Sequence, residues 1–308
     1  MSFKIINPGY APESNATQKT DPLYSNTGVS FRSTSFLSGI HVPYYNFSVY
    51  YLKFDLYIPS NPVNSQVVHV RLPYFLHTNY ADNLMFYMSS NLFYYRVYYG
   101  SNVLEDNISN TLIGLKINGI NTIYFVLSPG NNGTAYCYMI INNSRRIANY
   151  AFSDNISPTN SDLFSIYVSS SSYDYYVSNI ILSDSPIDYS EKAIAIPISE
   201  VYTDMSSLSS NLYVADSVDQ SLLASLDINS LLNDVSVNSK VTGIMVAGEP
   251  MYTTGVGEVS VISKSNDSVT EKGTIALSEN SLQSAVFGWG TDITLNDLSN
   301  IQLGFKVR

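Results

Sequence analysis

Carboxylates and imidazoles are few in this chain, and their spacing limits the reactions it can support. Cleaving a glycosidic bond by hydrolysis needs two carboxylates flanking that bond. Up to residue 200 the glutamates are Glu13, Glu105, Glu191 and Glu200, all in stretches that read as turns or linkers. Glu105 and Asp106 are adjacent, and neighbours on a strand point to opposite faces, so the pair reads as a solvated loop. The histidines are His41, His69 and His77. His69 and His77 flank Arg71-Leu-Pro-Tyr-Phe-Leu, a separation that is not metal-ligand spacing without a third partner. His69 reads instead as a half-buried structural residue on a strand. There is no Gly-x-Ser-x-Gly elbow, although a Ser-His-Asp set dispersed along the chain stays open. Gly255-Val-Gly and Gly288-Trp-Gly lack the further glycine and the strand-to-helix context of a nucleotide loop, and read as turn or bulge glycines. The single cysteine, Cys137, lies in an apolar-alternating run and reads as a buried thiol. No catalytic residue, no metal ligand and no cofactor is assigned, and an enzyme is not expected.

Tyrosine is the one abundant functional side chain, at 26 residues. It offers a flat apolar ring, a hydroxyl and only two torsions to freeze, which suits surfaces that bind sugars or proteins. The doublets Tyr44-Tyr45, Tyr50-Tyr51, Tyr94-Tyr95, Tyr98-Tyr99 and Tyr175-Tyr176 would each send one ring into a core and one outward on a strand. Tyr94, Tyr98, Tyr136, Tyr138 and Tyr175 are the candidate ligand-binding residues of a glycan platform. The plainer use of the same rings is to pack the core and cover an oligomer interface.

Composition narrows the partners. Charged residues make up only 13% of the chain and the net charge is −10. Binding of phosphates needs clustered Lys and Arg, and Arg145-Arg146 is the only adjacent basic pair; nucleic acid is not an expected partner. The N-terminus has no hydrophobic run of signal-peptide length, and no apolar stretch approaches a membrane span. Membrane insertion is therefore not expected, and synthesis in a cytoplasm is.

The elements that must position these residues are strands. Phe47-Ser-Val-Tyr-Tyr-Leu-Lys-Phe-Asp-Leu-Tyr-Ile alternates apolar and polar with period two and stops at Pro59. Similar runs recur to Leu182, rich in β-branched and aromatic residues and punctuated by Asn118-Gly, Pro129-Gly-Asn-Asn-Gly and Asn142-Asn-Ser. Many short strands without helical periodicity predict an all-β fold: an antiparallel jelly-roll sandwich over 1–195, followed by a smaller β-sandwich over 203–308. The boundary follows composition, since residues 1–200 carry a net charge of −3 and residues 201–308 one of −7. Leucines at 222, 223, 226, 231 and 232 suggest one helix over Val218–Leu232, although they fit a 3.6-residue period only in part.

Two resemblances add to this. The long strand Tyr50–Ile58, the hairpin Thr134–Ala148 and the returning strand Tyr175–Asp184 together resemble the concanavalin A-like (laminin G-like) sandwich. That likeness implies a ligand displayed by the hairpin. Glycosidases of that class carry Glu-x-Asp-x-x-Glu on one strand face, a string absent here. The ending Phe287-Gly-Trp-Gly-Thr-Asp-Ile-Thr-Leu-Asn-Asp-Leu-Ser-Asn-Ile-Gln-Leu-Gly-Phe-Lys-Val resembles that of many bacteriophage virion and tail-associated proteins. It implies a virion structural protein (tail fibre, accessory or head-decoration subunit) with copies of itself, other virion proteins and a host-surface glycan as partners. Within that ending Thr294 or Asp292 would cap a one-turn helix over 295–298, and the last strand would bury Ile301, Leu303, Phe305 and Val307. A carbohydrate-binding module of a cell-surface protein is the alternative, and a glycosidase with an unrecognised carboxylate pair a third.

Overall fold

The computed structural model describes residues 4–10, 16–32, 39–41, 49–60, 66–71, 84–89, 92–99, 102–108, 115–129, 134–151, 163–168, 175–209, 212–233, 235–248, 257–277 and 285–308. Over these residues the chain is all-β, and it divides into two compact units, 5–194 and 195–308 with residues 1–4.

The larger unit is a β-sandwich of the jelly-roll type. Its strands are β1 (Lys4–Asn7), β2 (Thr17–Lys19), β3 (Ser30–Arg32), β4 (Gly39–His41), β5 (Tyr50–Ile58), β6 (Gln66–Arg71), β7 (Leu84–Ser89), β8 (Leu92–Tyr99), β9 (Asn102–Ile108), β10 (Gly119–Pro129), β11 (Thr134–Ile141), β12 (Ser144–Ala151), β13 (Leu163–Val168) and β14 (Tyr176–Ser183). One sheet runs β12-β11-β10-β5-β14-β3-β2, with β1 also on β14; the other runs β4-β13-β6-β7-β8-β9. The period-two pattern of β5 explains its central place. Leu52, Phe54, Leu56 and Ile58 on one face are 0% exposed, and β10 opposite contributes Ile123, Phe125 and Leu127, also 0% exposed. Asn142 and Asn143 take left-handed φ of 48° and 69°. Such angles suit the two-residue turn that joins Ile141 to Ser144 across the β11–β12 hairpin.

Two expectations need correction here. Glu105 and Asp106 lie in β9, opposite Val97 and Arg96 of β8, and not in a loop. His69 is buried at 3% exposure, between Val68 and Val70 at 0%, because β6 is covered on both faces at this point.

In the smaller unit the strands are β15 (Ile198–Thr203), β16 (Ser206–Ser209), β17 (Leu212–Val214), β18 (Ser221–Leu226), β19 (Lys240–Gly248), β20 (Glu258–Ser265), β21 (Ser268–Ala276), β22 (Ala285–Thr294) and β23 (Ile301–Val307), with the helix α1 (Leu295–Leu298). A sheet ordered β15-β18-β23-β20-β21 accompanies the pairs β19–β22 and β16–β17. Ile244, Val261, Phe287, Trp289, Leu295, Leu298 and Leu303 form the core. Thr294 is the cap of α1. Its hydroxyl accepts from the Asp297 amide at 3.2 Å, and the Asp297 carboxylate accepts from the Thr294 amide at 2.8 Å, a reciprocal pairing that satisfies two orphan donors. Of the four residues expected to be buried by the last strand, Leu303 is, while Ile301, Phe305 and Val307 are half-buried. The helix expected over Val218–Leu232 does not form. That stretch is β18 followed by a 3-10 turn, Ile228–Leu231. Leu222 and Leu223 are adjacent, and their backbones are spent on pairing with Phe305 and Gly304 of β23.

Candidate functional site

The outer face of β5, away from the sandwich core, carries Tyr51, Lys53, Asp55 and Tyr57 in alternation. Such a row ordinarily reads as a solvated face. Here it is covered in part by residues 184–194, which leave β14 and cross back as a strap. Ile187 and Ala193 of the strap pack with Tyr124, Val126 and Ile181 of the sheet. Beneath the strap Lys53 is 2% exposed, and Asp55, two residues on, is 1% exposed.

Asp55 sits where β5, β10 and β14 meet. Its carboxylate accepts from the Thr122 hydroxyl at 2.7 Å, the Asn179 amide at 3.2 Å and the Asn26 amide at 3.4 Å. Asn179 occupies a bulge in β14, between Ser178 and Ile181, with a left-handed φ of 50°. Lys53 donates to the carbonyl of Glu191 on the strap, and its ammonium lies 5.9 Å from the centre of the Tyr189 ring. Burial pushes the Lys53 ammonium below the usual lysine range, against the opposing pull of Asp55, Glu191 and Asp188.

Beside this cluster the sheet face opens into a recess of about 600 Å³. Two rings line it, Tyr57 from the floor strand and Tyr189 from the strap. Tyr57 donates to Asn118 Oδ1 at 3.1 Å and its ring meets Tyr24 at a tilt, centroids 4.4 Å apart, while Tyr24 in turn meets Tyr176 edge-on at 4.7 Å. Tyr189 donates to the Thr122 carbonyl at 3.2 Å and accepts from the Asn143 amide at 3.3 Å. Burial pushes the Tyr189 phenol above its usual range. Four asparagines, Asn26, Asn118, Asn142 and Asn143, supply amides to the rest of the wall, beside Thr122, Lys116, Gly119 and the apolar Pro22, Leu23 and Ile120. Asn121 welds the loop to the hairpin tip, accepting from the Lys116 amide at 2.6 Å and from Asn142 Nδ2 at 2.8 Å. No described residue lining the recess is acidic, and Lys116 is its one cation.

The structure places the five candidate tyrosines apart. Tyr94 and Tyr98 lie on β8 in the six-stranded sheet, and Tyr136 and Tyr138 on β11 in the other; the side chains of these four lie outside the described residues. Tyr175 is fully buried at 0% exposure, and its neighbour Tyr176 at 1%. Both members of that doublet therefore belong to the core, since β14 is covered on both faces. Tyr57 and Tyr189, which line the recess, were not singled out from the sequence. The signal was the polar alternation of β5 read together with the turn asparagines at 118, 142 and 143. Among the described residues no group of three or more His, Cys, Asp and Glu is placed to hold a metal ion, and no helix is long and apolar enough to cross a membrane.

The sequence matches no known family profile, and no curated protein matches it. Similar solved structures include endo-β-1,4-glucuronan lyase from the fungus Trichoderma reesei, at 10% identity over 58% of this chain and 94% of that one, with a TM-score of 0.38. Alginate lyase Aly36B follows at 12% identity over 59% and 96%, with a TM-score of 0.34. The binding domain of botulinum neurotoxin DC, solved in complex with SialylT, is similar at 9% identity over 88% and 68%, with a TM-score of 0.30. At these scores no residue role passes from any of them to this chain. They do correct one expectation: the sequence reads as that of no enzyme, yet structures similar to this one include polysaccharide lyases. The missing strings speak only to hydrolysis and to a serine elbow.

Proposed function

We propose that this chain recognises carbohydrate through the recess on its 5–194 unit and serves as a component of a bacteriophage particle. The observation that carries the first part is the pairing of two tyrosine rings with a wall of amides. Ring faces suit the apolar C–H faces of a sugar, and fixed amide donors and acceptors suit its hydroxyls. Tyr57 is bonded to Asn118, Asn142 to the Thr122 amide and Tyr189 to the Thr122 carbonyl, so these groups lose little conformational freedom when a ligand enters. The lyase and toxin-domain likenesses accord with a carbohydrate ligand, without specifying one. Support for the particle role is the sequence of the ending 287–307, which resembles that of many virion and tail-associated proteins.

Two measurements test this reading. A printed panel of neutral, sialylated and uronate oligosaccharides should retain the full chain, and Tyr57→Ala should lower that retention about tenfold, the scale of one lost ring contact. Incubating the uronate members with the chain and following the unsaturated product by absorbance tests for elimination at the same recess. For the particle role, light scattering should return a stable homo-oligomer; a clean monomer counts against it.

A further inference from the structure

Lys53 is a charged group held in the middle of a sheet at 2% exposure. A buried charge is costly unless something nearby uses it, and a methionine of similar length would fill the same space without that cost. Two features of the strap use it. The ammonium donates to the main-chain carbonyl of Glu191 and faces the Tyr189 ring at 5.9 Å, an arrangement in which a cation is drawn to the negative ring face. A second fastening lies close by, where the Ala193 amide donates to Asn179 Oδ1 at 2.7 Å. Between these points the strap turns on itself, the Glu191 amide donating to the Asp188 carbonyl at 3.0 Å. Lys53 itself is not among the residues that line the recess.

We propose that Lys53 is a positioning residue for the recess: its ammonium fastens the strap 187–193 to the sheet and thereby holds Tyr189 in place as one wall. The proposal rests on the recess being the carbohydrate site. It makes the recess a composite of a rigid sheet, with Tyr57 and Thr122, and a strap whose closure is set from beneath. A ligand that touches Tyr189 would then be linked to the strap, because holding the ring in place and keeping the strap closed are one event.

The test is Lys53→Met in the full chain. Amide exchange at Glu191 and Ala193 should quicken about tenfold or more, the equivalent of losing a hydrogen bond from a charged donor, while amides of β10 and β14 keep their rates. The thermal midpoint should shift little, because relief of the ammonium's burial cost is offset by the loss of the nearest opposing charge for the buried Asp55. Retention of the oligosaccharide best held by the unaltered chain should fall about tenfold. A residue with a merely structural role would lower the midpoint and loosen β10 and β14 along with the strap, and that result overturns the proposal. So does unchanged exchange at Ala193, or a loosened strap with retention intact. A panel that retains nothing refutes the carbohydrate reading alone, since the strap amides report the fastening without any ligand. Should the variant not fold, the unaltered chain carries the test by acetylation and mass spectrometry. Lys53 should be the slowest lysine to react, and the retained oligosaccharide should slow it further; equal labelling with and without that oligosaccharide overturns the proposal.

Discussion

Replacing Asp55 by alanine should destabilise the 5–194 unit by about 3–4 kcal/mol. The figure follows from what the carboxylate leaves behind. Of its three donors, Asn26 is exposed and recovers water, but Asn179 is 3% exposed and Thr122 is half-buried beneath the recess. Each of those two stranded donors costs about 1–2 kcal/mol, and Lys53 loses the nearest opposing charge for its buried ammonium. Relief of the buried carboxylate's own desolvation offsets part of this, as it does whenever one partner of a buried charge pair is removed. For a unit of this size the loss corresponds to a fall in midpoint of about 10 °C. The two units can be followed separately, because 23 of the 26 tyrosines lie before residue 195 and the one tryptophan, Trp289, lies after it. Near-ultraviolet circular dichroism of tyrosine therefore reports the larger unit and tryptophan fluorescence the smaller. Coupling to Lys53 gives a second check. In the Asp55→Ala background, Lys53→Met should recover about 1 kcal/mol or more, a non-additivity expected only of groups that share partners. A tyrosine transition lowered by less than about 1 kcal/mol, or strictly additive variants, would refute the view that Asp55 ties the three strands together.

Other outcomes are as specific. Gly304→Ala would set its new methyl 1.8 Å from the Leu222 carbonyl oxygen; β18 and β23 must part to admit it, so the tryptophan transition should fall by about 3 kcal/mol. Thr294→Ala removes the cap of α1 and should lower the same transition by about 1 kcal/mol. Asp297 is held below the usual aspartate range by the Thr294 amide and hydroxyl. Its contribution is therefore present above the unfolded value of 3.8 and lost as pH falls through that value and below, and titration of the Asp297→Asn variant should lack that acid limb. Lys53 slopes the same way for a different reason, because burial disfavours its charged form. Its lowered folded value means that the unfolded chain binds the proton more tightly, so stability should rise with pH on the approach to 10.5, and Lys53→Met should flatten that slope.

How much of this the sequence carried depends on the range of the interaction. The strand Tyr50–Ile58 and its stop at Pro59 were legible because alternation and a proline are local facts, and so was the one-turn helix behind Thr294, whose cap lies three residues from its partner. The leucines of 218–232 misled because only part of their spacing is helical, and the pairing of Leu222 and Leu223 with β23 joins residues more than eighty positions apart. The recess failed for the same reason in stronger form. Lys53 and Asp55 alternate with Leu52, Phe54 and Leu56, which locally means a wet face; Lys53 is buried under a strap 138 residues later in the chain, and Asp55 is enclosed by Asn26, Thr122 and Asn179, all distant in sequence. Tyrosine doublets drew attention by being adjacent, yet adjacency matters least where both faces of a strand are covered, as at Tyr175 and Tyr176. The rings that line the recess are single tyrosines, 57 and 189, brought together by a returning strand and a crossing strap. A charge placed by sequence on the outer side of a central strand is thus ambiguous between solvent and a covering segment, and the polar row of β5 resolves it. A lysine on that face, nearly without exposure and bonded to the strap, is what a covered sheet needs if the cover is to be held in one place by polar contacts rather than by apolar burial alone.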